Sequence, residues 1–521
     1  MAAGQRLLDV RGVIGRGLLG ALCAAAVALA LPAQALAQGG AGALTVKQRS
    51  VLYGIARDTW KFYGADLDPT THLPLDNLGP GATRGAYTSA ANIGVYLWAV
   101  VAAHDLGLID RAQAQSMVSS TLGEVAKLKR SDGFLYQWYD TTNGRVLLNP
   151  GKADCSETTP SQDNCWFLSA VDNGWYASGL IEVRQALPRL RGLVNSLLAP
   201  MNFSIFYDNR AQTACNTNPA VPGNQPTGQM YGGWYVDQGP AGYHNGAFYS
   251  DPRIAIYIGM GRHQMPGDVW WRTWRTLPPQ RCATDPDFSW QGQWPVAGYW
   301  QTYTDPQSGK TFDVWEGHYT YPGTSLTFVP TYAGGMFEGL MANLVVPETA
   351  WGQHSFGLND RRWARVQIKY ATQVLHYPVW GLSPSSTPDD SGNYGGYGAE
   401  GLAFPAGERL SQCGPPCVSE HTVTPHASAI ALPVLPQRAY ANLAALRARY
   451  SGVYSSDGGF YDAVNPTTGA VGHRRLVLDQ SMIMAALDNA LRGDALQRYF
   501  ARDPISWAAR LYLGYERMSL G

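Results

Sequence analysis

Thr88-Ser89-Ala90-Ala91-Asn92-Ile93-Gly94-Val95-Tyr96-Leu97 opens a stretch that stays largely apolar as far as Asp105, and its reading decides the fold. The hydroxyl of Thr88 or Ser89 can accept from the free N–H groups of a helix start, and the run that follows is long enough for a buried helix. A few residues on, 111–129 places Met117, Leu122, Val125 and Leu128 on one face and reads as the antiparallel partner. Residues 47–63 put Val51, Leu52, Ile55 and Trp60 near helical spacing. Further helices are expected at 172–187, 251–261, 335–345, 360–374, 436–449, 478–491 and 495–515. Long loops rich in Gly, Pro and aromatic residues separate them. Few stretches alternate strictly, so strands should be short and confined to those loops. The expected class is all-α.

An internal echo supports repeated hairpins. Gly133-Phe134-Leu135-Tyr136 precedes Asp140-Thr141-Thr142-Asn143-Gly144, and Gly459-Phe460-Tyr461-Asp462 precedes Asn465-Pro466-Thr467-Thr468-Gly469. Helical hairpins with equivalent loops fit a toroid. Shared turn chemistry is the plainer alternative, since Asn, Pro, Thr and Gly are common turn residues.

Composition narrows the function. The 521 residues carry 39 basic and 39 acidic side chains, and only 15% are charged, against about 25% in ordinary domains. There is no basic stripe for a nucleic acid, and 45% hydrophobic content excludes disorder. Abundant Gly (58), Tyr (29) and Trp (17) point to a neutral polar ligand such as a sugar polymer, whose rings pack on aromatic faces. A large core with Trp-lined helix contacts would give the same composition.

Arg6, Arg11 and Arg16 precede an apolar run from Leu18 to Leu31, then Pro32 and Ala35-Leu36-Ala37. This is the layout of a secretory signal peptide cleaved after Ala37. The run is too short for a comfortable membrane span. The expected organisation is a signal at 1–37, a flexible N-terminus at 38–46 and one catalytic domain at 47–521. The mature protein is expected to be secreted or periplasmic, off the membrane and monomeric. Cys23 lies in the signal. Cys155, Cys165, Cys215, Cys282, Cys413 and Cys417 remain, an even number that reads as disulfides in an exported protein. The simplest pairing is Cys155–Cys165, Cys413–Cys417 and Cys215–Cys282.

A neutral sugar polymer is ordinarily cut by two carboxyl groups, one protonating the leaving oxygen and the other activating water or attacking the anomeric carbon. Three acids stand apart. Glu338, in Gly334-Gly335-Met336-Phe337-Glu338-Gly339-Leu340-Met341, has apolar neighbours that should desolvate it and raise its pKa, as a general acid requires. A carboxylate serving the helix N-terminus is the alternative. Asp251, between Ser250 and Pro252, has the pattern of an N-cap followed by proline. Asp172, followed by Asn173-Gly174-Trp175, is also cap-like. His244, His318, His376 and His426 lack HExxH-type spacing, and no metal or cofactor is expected. Neither a GxSxG elbow nor a P-loop is evident.

Several motifs resemble the glucoamylase-like family in order. They are Trp60-Lys61-Phe62, Leu73-Pro74-Leu75-Asp76-Asn77, Thr88–Gly94, Gly133–Asp140, Val171-Asp172-Asn173-Gly174 and Ser250-Asp251-Pro252-Arg253. Gly334-Gly335-Met336-Phe337-Glu338, His376–Gly381, Thr424-Pro425-His426-Ala427-Ser428 and Leu478-Asp479-Gln480 complete the series. The resemblance implies an (α/α)6 toroid and a glycoside hydrolase acting on a β-glucan, most simply an endo-β-1,2-glucanase. A hydrolase or transglycosylase for another exopolysaccharide and a non-catalytic glycan-binding protein are the rival readings. By position, Glu338 becomes the general acid, Asp251 the general base and Asp172 its helper or substitute. The family has Glu at 251. An Asp there is one methylene shorter, which should widen the carboxyl gap and suit inversion. The substrate is expected to lie against Trp138, Tyr139, Trp175, Trp234, Tyr249, Trp315, Trp380 and His426.

Overall fold

The computed structural model describes residues 42–81, 83–156, 158–161, 163–212, 225–226, 228–245, 248–276, 297–331, 334–399 and 421–520. The expected signal peptide and four of the six mature cysteines (Cys215, Cys282, Cys413 and Cys417) lie outside them. Cys155 and Cys165 are disulfide-bonded, as the local pairing requires.

Side-chain caps start the first four long helices. Thr45 and Gln48 form a capping box at α1 (Val46–Trp60). Ser89, in extended backbone, accepts from the Asn92 N–H and begins α2 (Ala90–Asp105), which is buried from Ala90 through Ala103. Asp110 and Gln113 box the start of α3 (Arg111–Val125). Ser169 repeats the Ser89 arrangement at α4 (Ala170–Ala186), accepting from the Asp172 N–H. Asp172 is therefore not the cap that its sequence suggested, but the third residue of the helix.

The remaining long elements are α5 (Arg191–Leu198), α6 (Arg253–Gly261), α7 (Met336–Leu340), α8 (Phe356–Lys369), α9 (Pro425–Ile430), α10 (Pro436–Arg449), α11 (Val477–Arg492), α12 (Ala495–Arg502) and α13 (Trp507–Tyr515). The helices expected over 47–63 and 111–129 end earlier, at Trp60 and Val125, and three later boundaries also differ from expectation. The helix expected over 335–345 ends at Leu340 and continues as a 3₁₀ turn, Ala342–Leu344. The helix expected at 360 begins at Phe356 and relaxes into a π turn, Tyr370–Val374. The span 495–515 is two helices, because Pro504 has no N–H to continue the first and Asp503 caps a new turn through Ile505 N–H.

Packing runs in a sequence of neighbours. α2 lies between α11 and α4, α4 meets α6, α7 meets α9, and α9 returns to α11. A second set packs against these: α3 on α2, α5 on α4, α13 on α6, α8 on α7, α10 on α9 and α1 on α11. α2 and α4 touch at backbone level. A Cβ on Gly94 would meet Trp175 O at 2.3 Å, and one on Gly179 would meet Gly94 O at 2.3 Å. Only glycine permits that approach. Trp98 and Trp175 then pack edge to face across the same seam, centroids 5.4 Å apart.

Most strands have two or three residues, but one sheet is longer than expected. Ala297–Thr304 pairs antiparallel with Thr311–Thr320, in register from Ala297↔His318 to Thr304↔Thr311, and Thr327–Phe328 adds a third strand. Phe312 and Val314 are buried while Asp313 and Trp315 are only partly covered, the period-two pattern of a one-faced strand. The two echoed segments share backbone conformation as well as letters. Gly133 and Gly459 both have positive φ (85° and 73°), as do Gly144 and Gly469 (72° and 79°).

Candidate active site

The site forms where the starts of α4, α6 and α7 converge. Asp251 stands two residues before α6, and the N-cap position is taken by Pro252, which has no side-chain cap bond. The N-cap expectation fails because Pro252 itself enters the turn with helical backbone. The freed carboxyl instead faces Glu338, 87 positions later, and the two groups hydrogen-bond each other. Ser250 Oγ donates to Glu338 Oε2 at 2.7 Å, and Trp175 Nε1 donates to Asp251 Oδ2 at 3.4 Å. A wider gap was expected from the missing methylene, but the two carboxyls are close enough to interact directly.

Burial pushes the Glu338 carboxyl well above the usual range, and the charge of Asp251 and the hydrogen bond to it push the same way. Burial also raises Asp251, while the hydrogen bond from Glu338 favours its ionised form. Both carboxyls are raised and titrate as a coupled pair, with Glu338 raised the more strongly. Asp172 stands beside this pair and is raised by burial and, more weakly, by the charge of Asp251. It accepts from Ser169 Oγ at 2.5 Å and Gln137 Nε2 at 3.1 Å. All three acids keep part of their surface open to solvent.

The aromatic expectations divide. Trp138 and Trp234 are half-buried on strands that pair with those leading into α2 and α4, with Trp138 edge-on to Tyr87. Trp315 is half-buried on the long hairpin beside Trp300. Trp175 is buried, and only its indole N–H reaches the acids. Tyr139, Tyr249 and Trp380 are corrected to the core. Tyr139 donates to Lys129 O and accepts from Tyr136 N–H; Tyr249 donates to Asp360; the Trp380 backbone is pinned by Asn442. None has a face free for a sugar. His426 is corrected likewise. It is 1% exposed, burial pushes its pKa down to about 4, and its Nε2 meets Ser383 Oγ at 2.9 Å. Ser383 Oγ accepts in turn from Phe337 N–H, so the neutral imidazole braces the segment that carries Glu338.

The sequence reading assigned no role to three more acids. Asp462 and Asp479 are buried, hydrogen-bonded to each other and raised by burial, Asp479 to about 7. With His426 they place one ligand atom each within 4.8 Å of one another, the one group among the described residues with metal-ligand spacing. Asp76 is half-buried, accepts from Asn92 and Asn77, and its carbonyl receives Val477 N–H at the start of α11. Tyr394 faces Asp479, Asp462, Glu338 and Asp76, yet is 50% exposed. Asp76, Asp462 and Asp479 all fall inside stretches singled out above, as motif or echo, and that was the available signal.

Comparison with known proteins follows the same outline. A family model described as "Putative glucoamylase" matches residues 300–504, and one for a protein of unknown function, DUF3131, matches 54–221. A cyclic beta-(1,2)-glucan synthase of Rhizobium meliloti is 30% identical over 132 residues, which is 25% of this chain and only 4% of that protein. An endo-beta-1,2-glucanase of Chitinophaga pinensis, solved with sophorotriose and glucose, superposes with a TM-score of 0.61 at 16% identity, over 90% of this chain and 98% of the other. An endo-beta-1,2-glucanase of Talaromyces funiculosus, solved with sophorose, gives 0.59 at 11% identity, over 90% of each chain. In sequence over these segments, and in fold over nine-tenths of its length, the chain resembles the glucoamylase-like family, to which such endo-β-1,2-glucanases and cyclic β-1,2-glucan synthases are related.

Proposed function

We propose that this protein is an exported glycoside hydrolase that cleaves a neutral β-glucan, most simply as an endo-β-1,2-glucanase, within an (α/α)6 toroid. The carrying observation is the pairing of the Glu338 and Asp251 carboxyls in a partly open, aromatic-flanked site, where burial raises both and Glu338 the more strongly. The neighbour series α2–α4–α6 and α7–α9–α11–α2, each helix paired with a further one, supports the toroid. The sequence layout of residues 1–37 and the Cys155–Cys165 disulfide support export. Among the described residues no helix is long and apolar enough to cross a membrane. The protein is taken as monomeric.

The chemistry runs through this pair. Glu338, kept protonated near neutral pH by burial, protonates the leaving glycosidic oxygen. That transfer needs the oxygen where Asp251 now accepts, so substrate entry parts the two carboxyls. Asp251, held by the Trp175 indole N–H, then takes a proton from the attacking water, with Asp172 stabilising the charge redistribution beside it. An inverting pair needs a carboxyl separation of about 6.5–9.5 Å and a retaining pair about 5–5.5 Å. The contact state is thus a resting state. Trp138 and Trp234 offer half-exposed rings for flanking sugars.

Glu338→Gln tests the reading. General acid catalysis contributes roughly 10²–10⁴-fold, so turnover on linear β-1,2-glucan should fall by that order while binding persists. Near-full hydrolysis would remove Glu338 from the acid role, and binding with no turnover by the wild type would favour a glycan-binding protein.

A further inference from the structure

One guanidinium ties the two carboxyl-bearing segments together. Arg253, in the first turn of α6, is 1% exposed, and all five of its N–H donors are used. Nε donates to Glu348 Oε1 at 2.7 Å and Nη2 to Glu348 Oε2 at 2.8 Å, a bidentate fork. The other Nη2 donor reaches Gly339 O at 2.6 Å. Nη1 divides between Ser250 O at 2.8 Å and Glu338 O at 3.2 Å. The last two acceptors are the backbone of Glu338 itself and of the residue before Asp251. Their distance apart is therefore fixed by one rigid plane.

The plane is itself held. Tyr257 donates to Glu348 Oε1 at 2.5 Å, so Glu348 cannot swing away. The Tyr249 ring lies 5.0 Å from the guanidinium carbon, and Tyr249 is anchored by its hydroxyl to Asp360 at 2.8 Å. None of these groups reaches the partly open surface where Asp172, Asp251 and Glu338 emerge: Arg253, Tyr257, Tyr249, Glu348 and Asp360 are all buried.

We propose that Arg253, locked by Glu348, is a positioning residue that sets the separation of the Asp251 and Glu338 carboxyl groups and so controls how tightly Glu338 holds its proton. It goes beyond the assignment of the pair and rests on the reading that these two carboxyls react. Lysine cannot replace it, because an ammonium has three donors on a flexible stem and cannot span Glu348, Ser250 O and the Glu338–Gly339 carbonyls at once. When the plane is lost, the carboxyls part, the contact that raises Glu338 weakens, and its proton leaves at lower pH.

The test reads the proton directly and needs no substrate. An infrared pH titration follows the protonated-carboxyl band that disappears in Glu338→Gln. In Arg253→Lys, and in Glu348→Gln, which keeps the side-chain shape, that band should titrate lower by about one pH unit, tenfold in proton affinity. The control is Arg275→Lys, which disturbs another fully buried pair, Arg275–Glu516, without touching the site. It should lower the melting temperature and leave the band in place. Folding is followed by circular dichroism throughout. If folded Arg253→Lys and Glu348→Gln both titrate as wild type, Arg253 is only a structural ion pair and the proposal is wrong. If the band shifts but no polysaccharide is cleaved by the wild type, the positioning stands and the hydrolase reading falls.

Discussion

At the N-terminal ends of α4, α6 and α7 stand Asp172, Asp251 and Glu338; near the C-terminal ends of α2, α4 and α11 stand Asp105, Glu182 and Asp488. Burial raises the carboxyl pKa in both groups. The surroundings differ. The first set is partly open and met by donors from Ser169, Gln137, Trp175 and Ser250. In the second, Glu182 and Asp488 are buried with neither carboxyl oxygen hydrogen-bonded, and Asp105 accepts only from Tyr499 at 3.0 Å. The helix dipole favours negative charge at the first end and opposes it at the second. A raised pKa alone therefore marks no site. Access, donors and a second carboxyl in contact distinguish the proposed reacting end.

Asp251→Asn breaks the comparison most sharply. Losing the carboxylate proposed to take a proton from water should cut kcat by about 10²-fold or more, measured on whichever glucan the wild type cleaves. Glu182→Gln should leave kcat within a factor of about two. Among structural changes, Trp380→Ala should destabilise by about 3–5 kcal/mol through the cavity it leaves, whereas Trp138→Ala should cost less stability and raise KM; denaturant melts and kinetics separate them. Gly94→Ala should cost about 1–3 kcal/mol, because its methyl meets the Trp175 carbonyl.

The smallest effect is in the pH dependence of stability. Glu182 is raised above its unfolded value by burial, then by Asp503, Asp105 and Asp488. The folded state thus binds the extra proton, and the contribution is fully present below the unfolded carboxyl range. It is lost as pH rises through the higher folded value. Glu182→Gln should flatten the fall in melting temperature from about pH 4.5 upward. A wild-type slope retained in the variant would move that dependence to other acids.

The caps and the apolar run of α2 were legible because both are local: Ser89 reports a helix start and 90–103 a buried helix with no long-range information. Glu338 was legible from its Met, Phe and Leu neighbours, which do desolvate it. For Asp251 the local letters were ambiguous, because Asp-Pro reads the same whether the carboxyl turns back to the helix or outward to a residue 87 positions away, and only the family resemblance placed it in the site. Asp462 and Asp479 meet only after folding, and Asp76 is felt by them only then, so the motifs and echo that contain them gave no role to their carboxyls. Tyr139, Tyr249 and Trp380 show that aromatic type does not report which face is free. The long hairpin carried a readable signal, the alternation through Phe312, Asp313, Val314 and Trp315, which helix periodicity elsewhere overshadowed.

The central claim is tested most directly by incubating the wild type with a panel of purified polysaccharides that includes linear β-1,2-glucan, and following products by size and NMR. The account predicts shortening of linear β-1,2-glucan to oligosaccharides, with one anomer formed first. If no β-glucan in the panel is cleaved, the assignment of a glucan-hydrolysing Glu338–Asp251 pair is contradicted.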